Sequence, residues 1–232
     1  MTSQKIAIVT GASGNMGIAV IEKFLREGYR VVGTVIENDP VKINLTAPGL
    51  EIATVNLADE TASQQFVASV IQKHGRIDIA VLTVGGFGMG NIASTSTSAI
   101  LQQYTVNFET AYNIARPCFG QMLLQKTGRI FFVGSRPGLS AADGNGMTAY
   151  GLSKSLVVRL SELINAEAIG LDIVSTVIVP GTIDTLQNRK SMPEADPANW
   201  VKSTAIADVI YFYSTEEAST IRQPLIKMYN NA

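Results

Sequence analysis

An apolar run, Ile6-Ala7-Ile8-Val9, leads straight into the octet TGASGNMG at Thr10–Gly17, and a segment with helical spacing, Ile18 to Leu25, follows at once. This order of strand, glycine-rich turn and helix start constrains the fold more than any other part of the chain. A helix that begins there offers unpaired N–H groups and a partial positive charge, which together make an anion site. Gly11 permits the tight turn, Gly14 the close approach of a ligand, and Gly17 close packing of helix on strand. Ser13, Asn15 and Met16 fall in the same loop, with Asn15 placed to hydrogen-bond near bound phosphates. No Gly-Lys-Ser/Thr follows, so a Walker-type loop is not indicated.

The same alternation continues along the chain. Strands are expected at Lys5–Thr10, Arg30–Ile36, Leu50–Val55, Ile77–Val84, Arg129–Val133, Leu171–Val179 and Pro224–Met228. Helices are expected at Asn15–Glu27, Asp59–His74, Thr97–Gln125 with Pro117 as the place for a kink, Thr148–Ile169 and Trp200–Ser214. The strands are near-continuous apolar runs, as in a sheet covered on both faces. The expectation is a single-domain α/β fold over residues 1–232, a Rossmann-type doubly wound parallel sheet of about seven strands with right-handed crossovers. Between the sixth strand and the next helix lies a polar segment, 187–199, with Pro193 and Pro197. It is too long for a minimal connection and reads as a substrate lid.

Composition narrows the function classes. Apolar residues make up 46% and charged residues 16%, the profile of a globular chain. A net charge of −1 without any Lys/Arg cluster argues against nucleic acid as a partner. The single cysteine, Cys118, and the single histidine, His74, leave no disulfide and no cysteine-based zinc site, and no metal is expected. Cys118 has apolar or small neighbours and reads as an inert buried thiol, and His74 as a residue at a helix C-terminus that complements the dipole. No charged n-region with a long apolar stretch opens the chain, and no run approaches a membrane span. A soluble cytoplasmic protein with no membrane partner is the expectation.

Ser135, Tyr150 and Lys154 carry the chemistry. Tyr150 and Lys154 stand four apart on a helix and so share a face. A neighbouring ammonium favours the phenolate and would lower the tyrosine pKa toward working pH. Tyr150 can then pass a proton to a carbonyl oxygen while hydride reaches its carbon. Ser135 closes the fifth strand, at the edge where ligands bind in open α/β sheets, and its hydroxyl can hold the same oxygen. The discriminator for the dinucleotide falls at the end of the second strand, near Val35-Ile36, with Glu37 just after. Neither an acid for NAD nor a base for NADP stands at the expected position, so both cofactors stay open. Glu37 is a ribose acid or a solvated loop acid.

These pieces resemble the short-chain dehydrogenase/reductase family over the whole length: TGASGNMG, VNLAD (55–59), Asn107 in YTVNFETA, Ser135 in GRIFFVGS, YGLSK (150–154) and IVPGTIDT (178–185). The resemblance implies that Lys154 bonds the nicotinamide ribose and that Asn107 anchors a water linking Lys154 to solvent. Asn56 and Leu57 would lie by the adenine, and Pro180, Gly181, Thr182 and Ile183 would receive the nicotinamide carboxamide. Thr83-Val84-Gly85-Gly86 occupies the place of an Asn-Asn-Ala-Gly stretch, so Val84, Gly85 and Gly86 would line the cofactor by backbone alone. The Ser135-to-Tyr150 stretch is longer than usual and is expected to bulge over the substrate side.

A narrower resemblance is to quinonoid dihydropteridine reductases. It rests on NRKSMPEADPANW (188–200), VGGFGMGN (84–91), YGLSK and the Gly-x-x-Gly-x-x-Gly spacing of the loop. That subgroup generally lacks the serine and the helix asparagine, both of which stand here. The lid therefore points to a pterin-like substrate and the tetrad Asn107, Ser135, Tyr150, Lys154 to a ketone or hydroxyl. Arg189 and Lys190 either hold a polar substrate or are solvated loop charges. Met192 and Trp200 either form an apolar cover or pin the loop.

The reading is an NAD(P)-dependent oxidoreductase acting on a small molecule, forming a homodimer or homotetramer through the helices around Thr97–Gln125 and Thr148–Ile169. Two rivals are a non-catalytic dinucleotide-binding regulator and an extended-type enzyme acting on nucleotide sugars. The intact Ser135-Tyr150-Lys154 set argues against the first. The second usually carries a larger C-terminal substrate domain, and only about fifty residues follow Pro180.

Overall fold

The computed structural model describes residues 4–41, 43 and 45–231. Seven strands make one sheet: β1 (Ile6–Thr10), β2 (Arg30–Val35), β3 (Leu50–Thr54), β4 (Ile79–Leu82), β5 (Thr127–Val133), β6 (Asp172–Pro180) and β9 (Leu225–Met228). Their order is β3-β2-β1-β4-β5-β6-β9, and every neighbouring pair is parallel. The chain winds outward from β1 in one direction and then from β4 in the other. The switch point lies between those strands, where such sheets leave a crevice at their carboxyl ends. The α/β doubly wound sheet expected from the sequence is the observed fold.

The continuous apolar strands are explained by which side each residue faces. Ile6 and Ile8 enter one core layer, while Ala7 and Val9 enter the other. Phe131 and Phe132 are buried on opposite faces in the same way, each worth about 2–3 kcal/mol of transfer free energy. Helices α2 (Glu60–His74), α4 (Thr110–Gln125) and α5 (Thr148–Glu167) cover the first face, and α1 (Asn15–Arg26) and α7 (Ser203–Phe212) the second. Cys118 is buried among the first set, and burial pushes its thiol up to about 12. Among the described residues no helix is long and apolar enough to cross a membrane.

Four expectations are corrected. Strand four stops at Leu82, and Thr83–Gly86 leave the ladder. The long helix is broken, but not at Pro117, which sits inside α4. Instead α3 (Thr97–Tyr104) passes into a π-helical turn, Thr105–Glu109. Segment 187–199 is not a bare loop: α6 (Leu186–Ser191) and a 3-10 turn at Pro197–Asn199 occupy it. Trp200 does not open a helix. It precedes β8 (Val201–Lys202), which pairs with β7 (Ile183–Asp184), and α7 begins only at Ser203.

Candidate active site

The glycine loop closes by Gly14 N–H donating to Gly11 O at 3.0 Å, with Gly11 in the left-handed region at φ 66°. A Cβ at Gly17 would clash with Gly11 O and lie 2.9 Å from its carbonyl carbon, so this position admits hydrogen only. Gly14 and Asn15 are exposed, whereas Ser13, Met16 and Gly17 are buried. No side chain caps α1, so its first-turn N–H groups are left for an outside acceptor. A groove of about 350 Å³ runs from Asn15, Ile18 and Glu22 of α1 to Asp184 of β7 and Lys202 of β8.

Past β2, Glu37 is exposed and Asp39 takes the inward place. Ser13 Oγ donates to Asp39 Oδ2 at 2.6 Å, and the other carboxylate oxygen accepts from Val41 N–H at 2.8 Å. Sequence reasoning stopped at Glu37. Spacing from the last glycine favours Glu37, and what marks Asp39 is its bond to Ser13 across the loop. Farther along this edge, Asn56 is exposed in a turn capped by its own side chain. Leu57 is buried, with its carbonyl held by Asn113.

The π-helical turn explains the position of Asn107. Its extra residue turns the amide inward, where Oδ1 accepts from Gly86 N–H at 2.9 Å and Nδ2 donates to Gly86 O at 3.0 Å. Single π-turns of this kind recur at functional sites. Nδ2 also reaches Gln103 Oε1 at 2.9 Å and Ser153 Oγ at 3.1 Å, two partners not visible in the sequence pattern. Gly85 has to be small: a Cβ there would meet Asn107 Oδ1 at 2.8 Å and Lys154 Nζ at 3.2 Å. Val84 packs against the first core layer.

Ser135 is brought to Tyr150 by close packing of its turn on α5. A Cβ at Gly138 would lie 2.8 Å from Lys154 Cβ, and one at Gly151 would lie 3.0 Å from Pro137 O. The Ser135 hydroxyl is buried and has no hydrogen-bond partner of good geometry among the described residues. Lys154 is buried and donates to Val133 O at 2.8 Å, with its Nζ 5.9 Å from the Tyr150 ring centroid. The electrostatics differ from the expectation. Burial pushes Tyr150 up, opposed by the nearby Ser135 hydroxyl, and pushes Lys154 down to about 8. Desolvation therefore sets the direction of both shifts. Phe87, 63% exposed, sets its ring edge-on to Tyr150 at 5.1 Å between centroids. Its loop is fastened there by Gly90 N–H to Gly146 O and Thr148 N–H to Gly90 O, at 2.7 and 2.9 Å.

At the end of β6, Pro180 and Gly181 turn the chain into Thr182 and Ile183, whose strand pairs with β8. Arg189 is engaged, with Nε and Nη2 donating to the two Asp184 oxygens at 2.7 and 2.9 Å. Lys190 and Met192 are exposed on the same short helix and its exit. Trp200 is 5% exposed and so anchors the segment rather than covering the site. The structure thus gathers Asn107, Ser135, Tyr150 and Lys154 and leaves Glu37, Lys190 and Arg189 outside that group.

The sequence profile of short chain dehydrogenases matches residues 5–196. The 3-oxoacyl-acyl-carrier-protein reductase FabG of Thermotoga maritima is 27% identical, covering 96% of this chain and 95% of its own. Dihydropteridine reductase of Dictyostelium discoideum is 25% identical, covering 93% and 90%. The crystal structure of gox2181 superposes with a TM-score of 0.85 at 21% identity, over 97% of this chain and 94% of that one. A profile spanning most of the chain, on this fold, makes the protein a member of the short-chain dehydrogenase/reductase family of oxidoreductases.

Proposed function

We propose that the protein is an NAD(P)-dependent reductase of a carbonyl group, with Tyr150 as proton donor. The observation that carries this reading is the buried Ser135 hydroxyl, which lacks a partner of good geometry beside a buried Tyr150. A buried hydroxyl is costly unless something bonds it, and a substrate carbonyl oxygen suits it. The uncapped start of α1, the all-hydrogen position at Gly17 and the Asp39 carboxylate bonded to Ser13 of the loop fit a dinucleotide. When bound, that cofactor supplies hydride to the carbonyl carbon. Ser135 holds the oxygen, Tyr150 gives it a proton, and Lys154, backed by Asn107, sets the charge behind the phenol. Gly85, Gly86 and Pro180–Ile183 would line the nicotinamide side, and Leu57 the adenine side.

The experiment is oxidation of reduced cofactor with a panel of small ketones, 3-oxoacyl thioesters and quinonoid dihydropterin. Turnover with a ketone or thioester is expected, and turnover confined to the pterin would overturn the carbonyl reading. A second reading, pterin reduction, is favoured by the exposed Phe87 ring against Tyr150, which could stack a planar substrate.

The Asp39 carboxylate, bonded to Ser13 of the glycine loop, supports NAD over NADP, because a 2′-phosphate there would meet a like charge. NADH is expected to bind about tenfold or more tighter than NADPH, with Asp39→Ala erasing that gap. Equal affinities in titrations of the unsubstituted protein would reject Asp39 as the discriminator. Exposed Leu152, Leu156 and Leu163 along α5 support a homo-oligomer contact, which sedimentation velocity reads directly. The segment 187–199 reads as the substrate cover.

A further inference from the structure

Two consecutive residues after β9 touch three separate loops at the edge of the site. Arg136, next to Ser135, lays its guanidinium over the Tyr229 ring at 4.1 Å. Gly181 N–H donates to Met228 O at 2.8 Å. A Cβ on Gly181 would lie 3.1 Å from Tyr229 O and 3.5 Å from Arg136 Nη2, so the three residues meet closely. Asn230 then reaches across with Nδ2 to two carbonyls, Ala198 and Trp200, each at 3.2 Å. It does so from the left-handed region, φ 52°, which asparagine tolerates better than most residues.

Those two carbonyls flank the return foot of the 187–199 segment. The outgoing foot is held separately by Asn188 Nδ2 donating to Ile183 O at 2.8 Å and by the Thr185 hydroxyl accepting from Asn188 N–H. The feet are joined by the β7–β8 pair and by Val201 N–H to Thr182 O at 2.8 Å. Between the tied feet, residues 192–196 join α6 to the 3-10 turn, with Ala195 N–H donating to Met192 O at 3.1 Å.

We propose that Tyr229–Asn230 is a latch that fixes the return foot of this segment to the Ser135 and Gly181 turns, with Asn230 and Arg136 as positioning residues. Neither touches the reacting atoms in this scheme. They act through the placement of the segment, so they govern how long a substrate stays rather than the proton transfer. The link to substrate residence rests on the reading of 187–199 as the substrate cover. The latch itself does not.

Trp200 is the single tryptophan and its own carbonyl is one of the latched groups, so its emission reports the foot directly. Asn230→Gly keeps the left-handed backbone and removes both hydrogen bonds. It is expected to shift Trp200 emission to the red and to speed limited proteolysis within 187–196 about tenfold, with the melting temperature nearly unchanged. Arg136→Met, which frees the Tyr229 ring, is expected to give the same two signatures. Unchanged emission and unchanged cleavage in both variants would overturn the latch. With the turned-over substrate, KM is expected to rise several-fold at constant kcat. If emission and cleavage change while KM does not, the latch stands and the reading of 187–199 as the cover falls.

Discussion

Tyr150→Phe is expected to lower turnover by about 10³-fold while leaving dinucleotide affinity within a factor of about 3. The substitution keeps the ring and its edge contact with Phe87 and removes only the hydroxyl. Retained turnover would take Tyr150 out of the proton-donor role. The pH dependence follows from the directions of the shifts. Burial raises the Tyr150 pKa, so the phenol keeps its proton through neutral pH and is set up to donate. Burial lowers Lys154 to about 8, so its side chain is an ammonium below that pH and a neutral amine above it. Losing the cation makes the phenolate left after proton transfer less stable. The value of kcat/KM for reduction should therefore fall as pH rises through about 8, and Lys154→Met should flatten that limb at a lower rate. A rate that climbs through pH 8 would refute this coupling.

Gly17→Ala and Gly14→Ala are expected to separate two roles that the glycine loop combines. A Cβ at residue 17 runs into the Gly11 carbonyl and crowds Ala12 Cα at 3.2 Å, all backbone atoms that cannot step aside. Gly17→Ala should cost about 1–3 kcal/mol of stability, read as a lower melting temperature, and should weaken NADH binding as the loop distorts. At residue 14 the backbone has φ −75° and the added Cβ would meet only Gly11 O, at 3.4 Å. Gly14→Ala should leave the melting temperature within about 2 °C and weaken NADH binding about tenfold, because the new methyl stands where a phosphate would approach. An unaffected melting temperature in Gly17→Ala would contradict the close packing of α1 on the loop. Wild-type NADH affinity in Gly14→Ala would move the phosphate away from that residue.

Much of this was legible in advance because it is local. The strand-to-helix turn at Gly11 needs no partner element, and this glycine has positive φ. The four-residue step from Tyr150 to Lys154 likewise survives any packing, since both lie in one helix. What was misread depends on contacts across the chain. Pro117 reads as a kink by local rules, yet the break falls at Thr105–Glu109, where the Asn107 amide clasps Gly86. Trp200 reads as helical by its neighbours, yet Thr182 draws the following residue into a strand pair. Asp39 was passed over because its role depends on Ser13, a residue 26 positions away.

By itself the sequence determined the doubly wound sheet, the glycine loop at its first turn and the residues that meet at the carboxyl edge. Periodicity and backbone freedom are properties of short stretches, and they settle those features. Tertiary structure alone decided the charge state of the site, the acid that faces the loop and the ties that hold the 187–199 segment. The physical reason is desolvation and distance. Burial raises the Tyr150 phenol and lowers the Lys154 ammonium, and neither effect can be read from a four-residue spacing along one helix.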